Sequence, residues 1–146
     1  MKKRLIILLL SSVWVIASFA QDGLNVAQFF GEIYKSNPAV TLVEITGQKL
    51  QMAGLTKYKS IVVNNDEKLS DNIEKAVRKD GTIAKSKEVI YKKGKLYFGM
   101  YFLGGTGSER RYLYYLNQRP VGKDKTMLIY LEGAITEEMA KSLIKK

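Results

Sequence analysis

From Thr82 onward the apolar residues recur with a period of two, and this change constrains the fold more than any other feature of the sequence. Four alternating runs follow one another, separated by short polar or glycine-containing turns. Strands joined by such short connections pair in antiparallel fashion. We therefore predict a four-stranded antiparallel meander, with strands at residues 82–92, 95–103, 110–118 and 125–131.

Before Thr82 helical and strand patterns alternate. In residues 22–36 the apolar side chains of Val26, Phe30 and Ile33 recur near every 3.6 residues, which predicts an amphipathic helix capped by Asp22. The element order predicts an α+β fold: an α-β-α-β-α half, the antiparallel meander, and a C-terminal helix. The remaining predicted elements are strands at 39–46 and 58–63, a helical turn at 48–53, a helix at 69–79 with Ser70 as a cap, and a last helix that Thr136 caps.

The N-terminus has the three parts of an export signal. Cations at residues 2–4 precede an uncharged apolar run at 5–16, and residues 18–20 form a small-residue cleavage site. An uncleaved anchor is the alternative, but even an apolar run of about 15 residues rises only about 22 Å as a helix, short of the roughly 30 Å hydrocarbon core. We expect a signal peptide at 1–20 and a single domain at 21–146. The protein would be periplasmic or secreted, and not an integral membrane protein after cleavage.

The chain contains neither cysteine nor histidine. This composition removes the usual nucleophile–base pairs and most transition-metal sites, so we predict no metal, no cofactor and no assigned catalytic residue. Carboxylates can still catalyse hydrolysis without those residue types. Glu44, between Val43 and Ile45, is the acid whose neighbours indicate burial, although a glutamate on an edge strand more often faces solvent.

Within residues 21–146 the excess positive charge lies in one block of the sequence. Between Thr82 and Lys125 there are ten Lys or Arg and three Asp or Glu, whereas the segments at 21–81 and 126–146 are neutral.

If residues 104–107 form a four-residue loop, Tyr101 pairs with Arg110, and alternation then sorts the two faces of the hairpin. One face is a core of Leu96, Phe98, Met100, Phe102, Leu113 and Tyr115, and the other holds Tyr97, Gly99, Tyr101, Arg110, Tyr112 and Tyr114.

The second face predicts a binding surface, because flat rings stack on sugars while cations attract anionic partners. Its partner would be an anionic or carbohydrate component of the envelope, or another envelope protein; the exported compartment argues against nucleic acid. Two other interpretations stay open: tyrosines favoured on strands and covered by a helix, and a small carboxylate-dependent hydrolase acting on envelope glycans. The candidate binding residues are Tyr97, Tyr101, Arg110, Tyr112 and Tyr114.

The end of the chain combines a hydrophobic strand, the turn at Glu132 and Gly133, and a helix capped by Thr136. In this order of elements the sequence resembles small exported Bacteroidetes domains of unknown function. The resemblance implies an α+β domain in a Gram-negative envelope. Such families carry no assigned catalytic residues, so the resemblance implies none here.

Overall fold

One antiparallel sheet of six strands organises the computed structural model, which describes residues 23–144. The α+β class and the antiparallel pairing are confirmed. The signal peptide predicted at 1–20, the cap predicted at Asp22 and the two C-terminal lysines lie outside the described residues.

The strands have the spatial order β1-β2-β6-β5-β4-β3. Four strands, β3 to β6, follow one another in space as the meander prediction requires. The predicted separation of an α-β-α-β-α half from the meander is wrong in detail. Strand β2 of the first half pairs with β6 of the meander, so all six strands form one sheet. The strands are β1 (Val40–Ile45), β2 (Leu55–Asn64), β3 (Ser86–Lys92), β4 (Lys95–Gly104), β5 (Arg110–Asn117) and β6 (Lys125–Gly133); the α-helices are α1 (Gln48–Met52), α2 (Glu67–Gly81) and α3 (Glu137–Ile144).

The first helix differs from its prediction. In place of one amphipathic α-helix, the chain forms two 3₁₀ helices, Asn25–Phe30 and Glu32–Tyr34. Val26 and Phe29 are the buried residues, at the spacing of three that a 3₁₀ turn places on one side. Ile33, expected inside, is 78% exposed.

A buried carboxylate fixes the N-terminal 3₁₀ helix. Asp80, near the end of α2, is only 2% exposed. Its oxygens accept hydrogen bonds from the backbone N–H groups of Asn25 and Val26, both at 2.9 Å, and from Nδ2 of Asn25 at 2.8 Å. Asp80 thereby satisfies N–H groups that the start of a helix leaves without intrahelical acceptors.

Two helix starts test the predicted caps. The backbone N–H of Leu69 donates to Asp66 Oδ1 at 3.0 Å, so Asp66 caps α2. Ser70 lies inside the helix and is fully buried, so its prediction as a cap is wrong. Thr136 is confirmed as a cap, because the N–H of Met139 donates to its Oγ1 at 3.2 Å.

Each face of the sheet has its own apolar cluster. We call the two faces the α2 face and the α3 face, after the helices that cover them. The first 3₁₀ helix also packs on the α2 face, and α1 packs on the α3 face. Buried strand residues on the α2 face are Ile61, Val63, Leu96, Tyr101, Leu103, Leu113, Tyr115 and Leu128, and those on the α3 face are Leu55, Met100, Tyr112, Ile129 and Leu131.

The register of β4 with β5 differs from the prediction. Tyr101 lies opposite Leu113, three residues from the predicted Arg110. Two features cause the shift: a 3₁₀ turn at Gly107–Glu109 lengthens the loop, and the ladder is irregular between Phe102 and Gly104. Because the shift is an odd number of residues, every β5 side chain lies on the opposite face from the one predicted.

Among residues 23–144, no helix combines the length and the apolar character that crossing a membrane requires.

Candidate functional site

Tyr101 lies in the core of the α2 face and is 3% exposed. A Cβ atom built on Gly99 would come within 2.5 Å of its ring, and one on Gly81 within 2.7 Å. The space that glycine leaves at residue 99 is therefore filled by the Tyr101 ring and is not open to a ligand.

The other predicted binding residues are separated from Tyr101 and from one another. Tyr112 is buried on the α3 face, where its hydroxyl donates to the carbonyl of Ile135. Half-buried Tyr114 packs edge-on against Phe98 on the same face, with 5.6 Å between ring centroids. Tyr97 lies at an irregularity of the β3–β4 ladder, 4.0 Å below Lys92 Nζ.

Arg110 is half-buried at the start of β5, opposite Gly133. The prediction that these five residues share one face is therefore wrong, because the register places them on both sides of the sheet. A binding role for any one of them stays a prediction.

A different concave surface lies on the α2 face. It encloses about 810 Å³ between the first 3₁₀ helix and the ends of β2, β5 and β6. A volume of this size is typical of small-molecule sites. We call it the cradle, and its lining residues are Leu24, Val26, Ala27, Phe30, Lys57, Lys59, Gly105, Glu109, Arg111, Tyr130 and Glu132.

Alternation along β2 explains why the cradle forms here. Ile61 and Val63 point to the α2 face and are fully buried, whereas Lys59 and Lys57 continue the same side of the strand with charged groups. The neighbouring strand β6 changes in the same way, from Leu128 to Tyr130 and Glu132. The apolar end of this face supports the core, and the polar end is left open.

Cross-strand pairs bring the polar groups together. Lys59 lies opposite Tyr130, while Glu132 lies opposite Lys57 on one side and Arg111 on the other. The Tyr130 hydroxyl donates to Glu132 Oε2 at 2.8 Å, and Lys57 Nζ lies 3.8 Å from the same oxygen. Glu132 thus orients both the tyrosine and one of the three cations.

Burial raises the pKa of Tyr130, and its hydrogen bond to Glu132 raises it further, whereas the positive charge of Arg111 acts in the opposite direction. Tyr130 therefore remains a neutral hydroxyl at physiological pH. Its hydroxyl donates to Glu132 and lies beside Arg111, and its ring offers an apolar surface.

Two half-buried cations of the cradle have no ion-pair partner within the described part of the chain. Lys57 pairs with Glu132, but among residues 23–144 no acidic group lies within 4.0 Å of Lys59 or of Arg111. Glu44 lies opposite Lys59 in the register and is exposed, which is the more common outcome for a glutamate on an edge strand and not the burial that its neighbours indicate. Partly buried charge without a partner favours an anion as the occupant.

Sequence reasoning missed the cradle because its groups come from strands that are distant in the chain. The available signal was the change along single strands, from Ile61 to Lys59 and Lys57, and from Leu128 to Tyr130 and Glu132. Among residues 23–144 there is no group of three or more acidic side chains that could hold a metal ion.

Comparison with known proteins gives one match. The model of a family of unknown function (DUF6108) matches residues 13–144. Neither the curated proteins nor the solved structures contain a match.

Proposed function

We propose a function for this chain, which belongs to the family of unknown function DUF6108: it is an exported, non-enzymatic module that binds an acidic carbohydrate of the envelope in the cradle. The observation that carries the proposal is the pair of half-buried cations beside the ring of Tyr130, Lys59 and Arg111, for which residues 23–144 provide no acidic partner.

An acidic sugar matches the different groups of the cradle. Its carboxylate would bind Lys59 and Arg111, since charge-assisted hydrogen bonds to carboxylates are the strong ones. Its hydroxyls would donate to Glu109 and to the remaining acceptor positions of Glu132. The apolar face of a sugar ring would pack on Tyr130.

The alternative is a carboxylate-dependent hydrolase, and one observation favours it: Glu109 and Glu132 line the same cradle. Two carboxyl groups across a cleft are the minimum for glycoside hydrolysis. However, Glu132 already accepts from Tyr130 and faces Lys57, an arrangement that suits a fixed acceptor of ligand hydrogen bonds.

Calorimetric titration with trigalacturonate, and with the neutral galactose trisaccharide as control, tests the proposal. We expect binding of the acidic sugar alone, weakened about tenfold by Lys59→Gln and by Arg111→Gln, because each removes a charge-assisted hydrogen bond. Lys75→Gln, which removes an exposed charge from α2, is the matched control and should leave the affinity unchanged.

Three results decide between the possibilities. Equal affinity for both sugars, or an equal effect of Lys75→Gln, contradicts an anion site in the cradle. Release of shorter sugars during the titration supports the hydrolase.

For export, the intact mass of the protein recovered from its native cells should lack residues 1–20.

A further inference from the structure

The turn between β3 and β4 places a lysine in an unfavourable conformation. Lys93 and Gly94 connect the strands and have φ angles of +53° and +76°. Two consecutive positive φ angles define a type I′ turn, in which the first position favours asparagine, aspartate or glycine. A cation is thus present at the tip of the hairpin despite a cost in backbone energy.

The strand leading to this tip is open to solvent along its whole length. Every residue of β3 is exposed, including Ile90 at 48% and Tyr91 at 55%. Residues 89–95 contain three lysines and no acid. Lys92 lies over the ring of Tyr97, and Lys95 Nζ is 3.8 Å from Asp71, which leaves Lys93 as the most projecting cation.

The β5–β6 turn lies at the same end of the sheet, because β3 to β6 alternate in direction. It contributes the exposed side chains of Val121 and Lys123, together with one acid, Asp124. The cradle lies at the opposite end, where Arg111 is opposite Glu132 in the strand register. This end of the sheet therefore carries cations and exposed apolar side chains, together with Asp124 and the acids at the start of α2 (Asp66, Glu67 and Asp71), and it is separate from the concave site.

We infer that this end of the sheet docks on an anionic lipid surface. Lysines attract acidic headgroups, and adjoining exposed tyrosine and aliphatic side chains are suited to the interfacial region. A lipid surface fits this end better than an acidic protein does, because the exposed apolar side chains can enter the interfacial region while the lysines bind headgroups. Docking by this end would leave the cradle facing away from the lipid.

The test is co-sedimentation with vesicles of phosphatidylcholine, with and without phosphatidylglycerol. Wild type and variants share the same N-terminus, so any contribution of residues 1–22 to partitioning cancels in the ratio of variant to wild type. Lys93→Asn should weaken partitioning to the anionic vesicles about fivefold, and Lys93→Asn with Lys123→Gln about 25-fold. Lys49→Gln, at the other end of the sheet, is the matched control.

Lys93→Asn also separates a structural role from a binding role. Asparagine suits the type I′ turn better than lysine, so the variant should unfold at an equal or higher temperature while binding more weakly. Equal partitioning to neutral and anionic vesicles, or unchanged partitioning of Lys93→Asn, would overturn the inference. Binding to soluble polyglutamate without binding to vesicles would replace it with an acidic protein partner.

Discussion

The environment of Gly99 shows how a single residue determines the core of the α2 face. Glycine in a strand usually weakens it, because it loses more backbone freedom on folding and offers no side chain to pack. Here the Tyr101 ring lies between the backbone of Gly99 and that of Gly81, at the end of α2. The missing side chains allow the ring to lie flat between strand and helix.

We predict that Gly99→Ala lowers the free energy of unfolding by about 1 to 3 kcal/mol, since the new methyl group would overlap the Tyr101 ring. Urea unfolding of Gly99→Ala, Tyr101→Ala and the double variant measures the effect as a double-mutant cycle. In the Tyr101→Ala background, Gly99→Ala should lower the free energy of unfolding much less, because the ring is absent. An equal cost in both backgrounds would mean that the overlap with Tyr101 is not the cause.

At the scale of elements, the start of α2 contains a residue that caps the helix, Asp66, and a residue that was only predicted to cap it, Ser70. Asp66→Ala removes the acceptor for the N–H of Leu69 and should cost about 1 kcal/mol. Ser70→Ala should be neutral or stabilising, because the buried Ser70 hydroxyl has no hydrogen-bond partner among the described residues. Thermal unfolding followed by circular dichroism compares the two. A larger cost for Ser70→Ala would show that the hydroxyl has a partner.

The elements that the sequence predicts well are those whose pattern is local. Periodicity predicts α2, α3 and the six strands, although β2 begins three residues earlier than predicted and β3 begins four residues later. The first helix was mistaken for α-helical because Phe30 fits a spacing near 3.6 from Val26, whereas Phe29, three residues from Val26, is the one buried. Only packing against α2 and the strands distinguishes the two spacings.

Register and sheet order depend on contacts that local patterns do not contain. The glycine-rich segment at 104–108 permits several loop lengths, and the pairing of Tyr101 changes with each of them. The pairing of β2 with β6 joins segments about 70 residues apart in sequence, and it creates the cradle by placing Lys59 beside Tyr130. The candidate site was therefore less predictable than the fold.

For the whole molecule, the N-terminal 3₁₀ helix connects the core to the cradle. Val26 and Phe29 are buried in the α2 face, while Leu24, Ala27 and Phe30 form one wall of the cavity. The hydrogen bonds that Asp80 accepts hold this wall against the end of α2. The shape of the proposed binding site therefore depends on the same packing that stabilises the fold.

Buried tyrosines should make the stability of the whole molecule depend on alkaline pH. Burial raises the pKa of Tyr101 from 10.0 to about 12, and it raises the pKa values of Tyr115 and Tyr130 as well. Because the folded protein retains these protons more strongly than the unfolded chain, their stabilising contribution is complete below pH 10. It is lost as the pH rises through the folded values.

We therefore predict that the free energy of unfolding falls between pH 10 and about pH 12, and that Tyr101→Phe reduces the slope, because phenylalanine has no proton to lose. Urea unfolding at several pH values measures the slope, and tyrosinate absorbance of the folded protein measures ionisation. Lysines also titrate in this range, but they are common to both proteins, so the difference in slope isolates Tyr101. Identical slopes would show that Tyr101 ionises as readily in the folded chain as in the unfolded one.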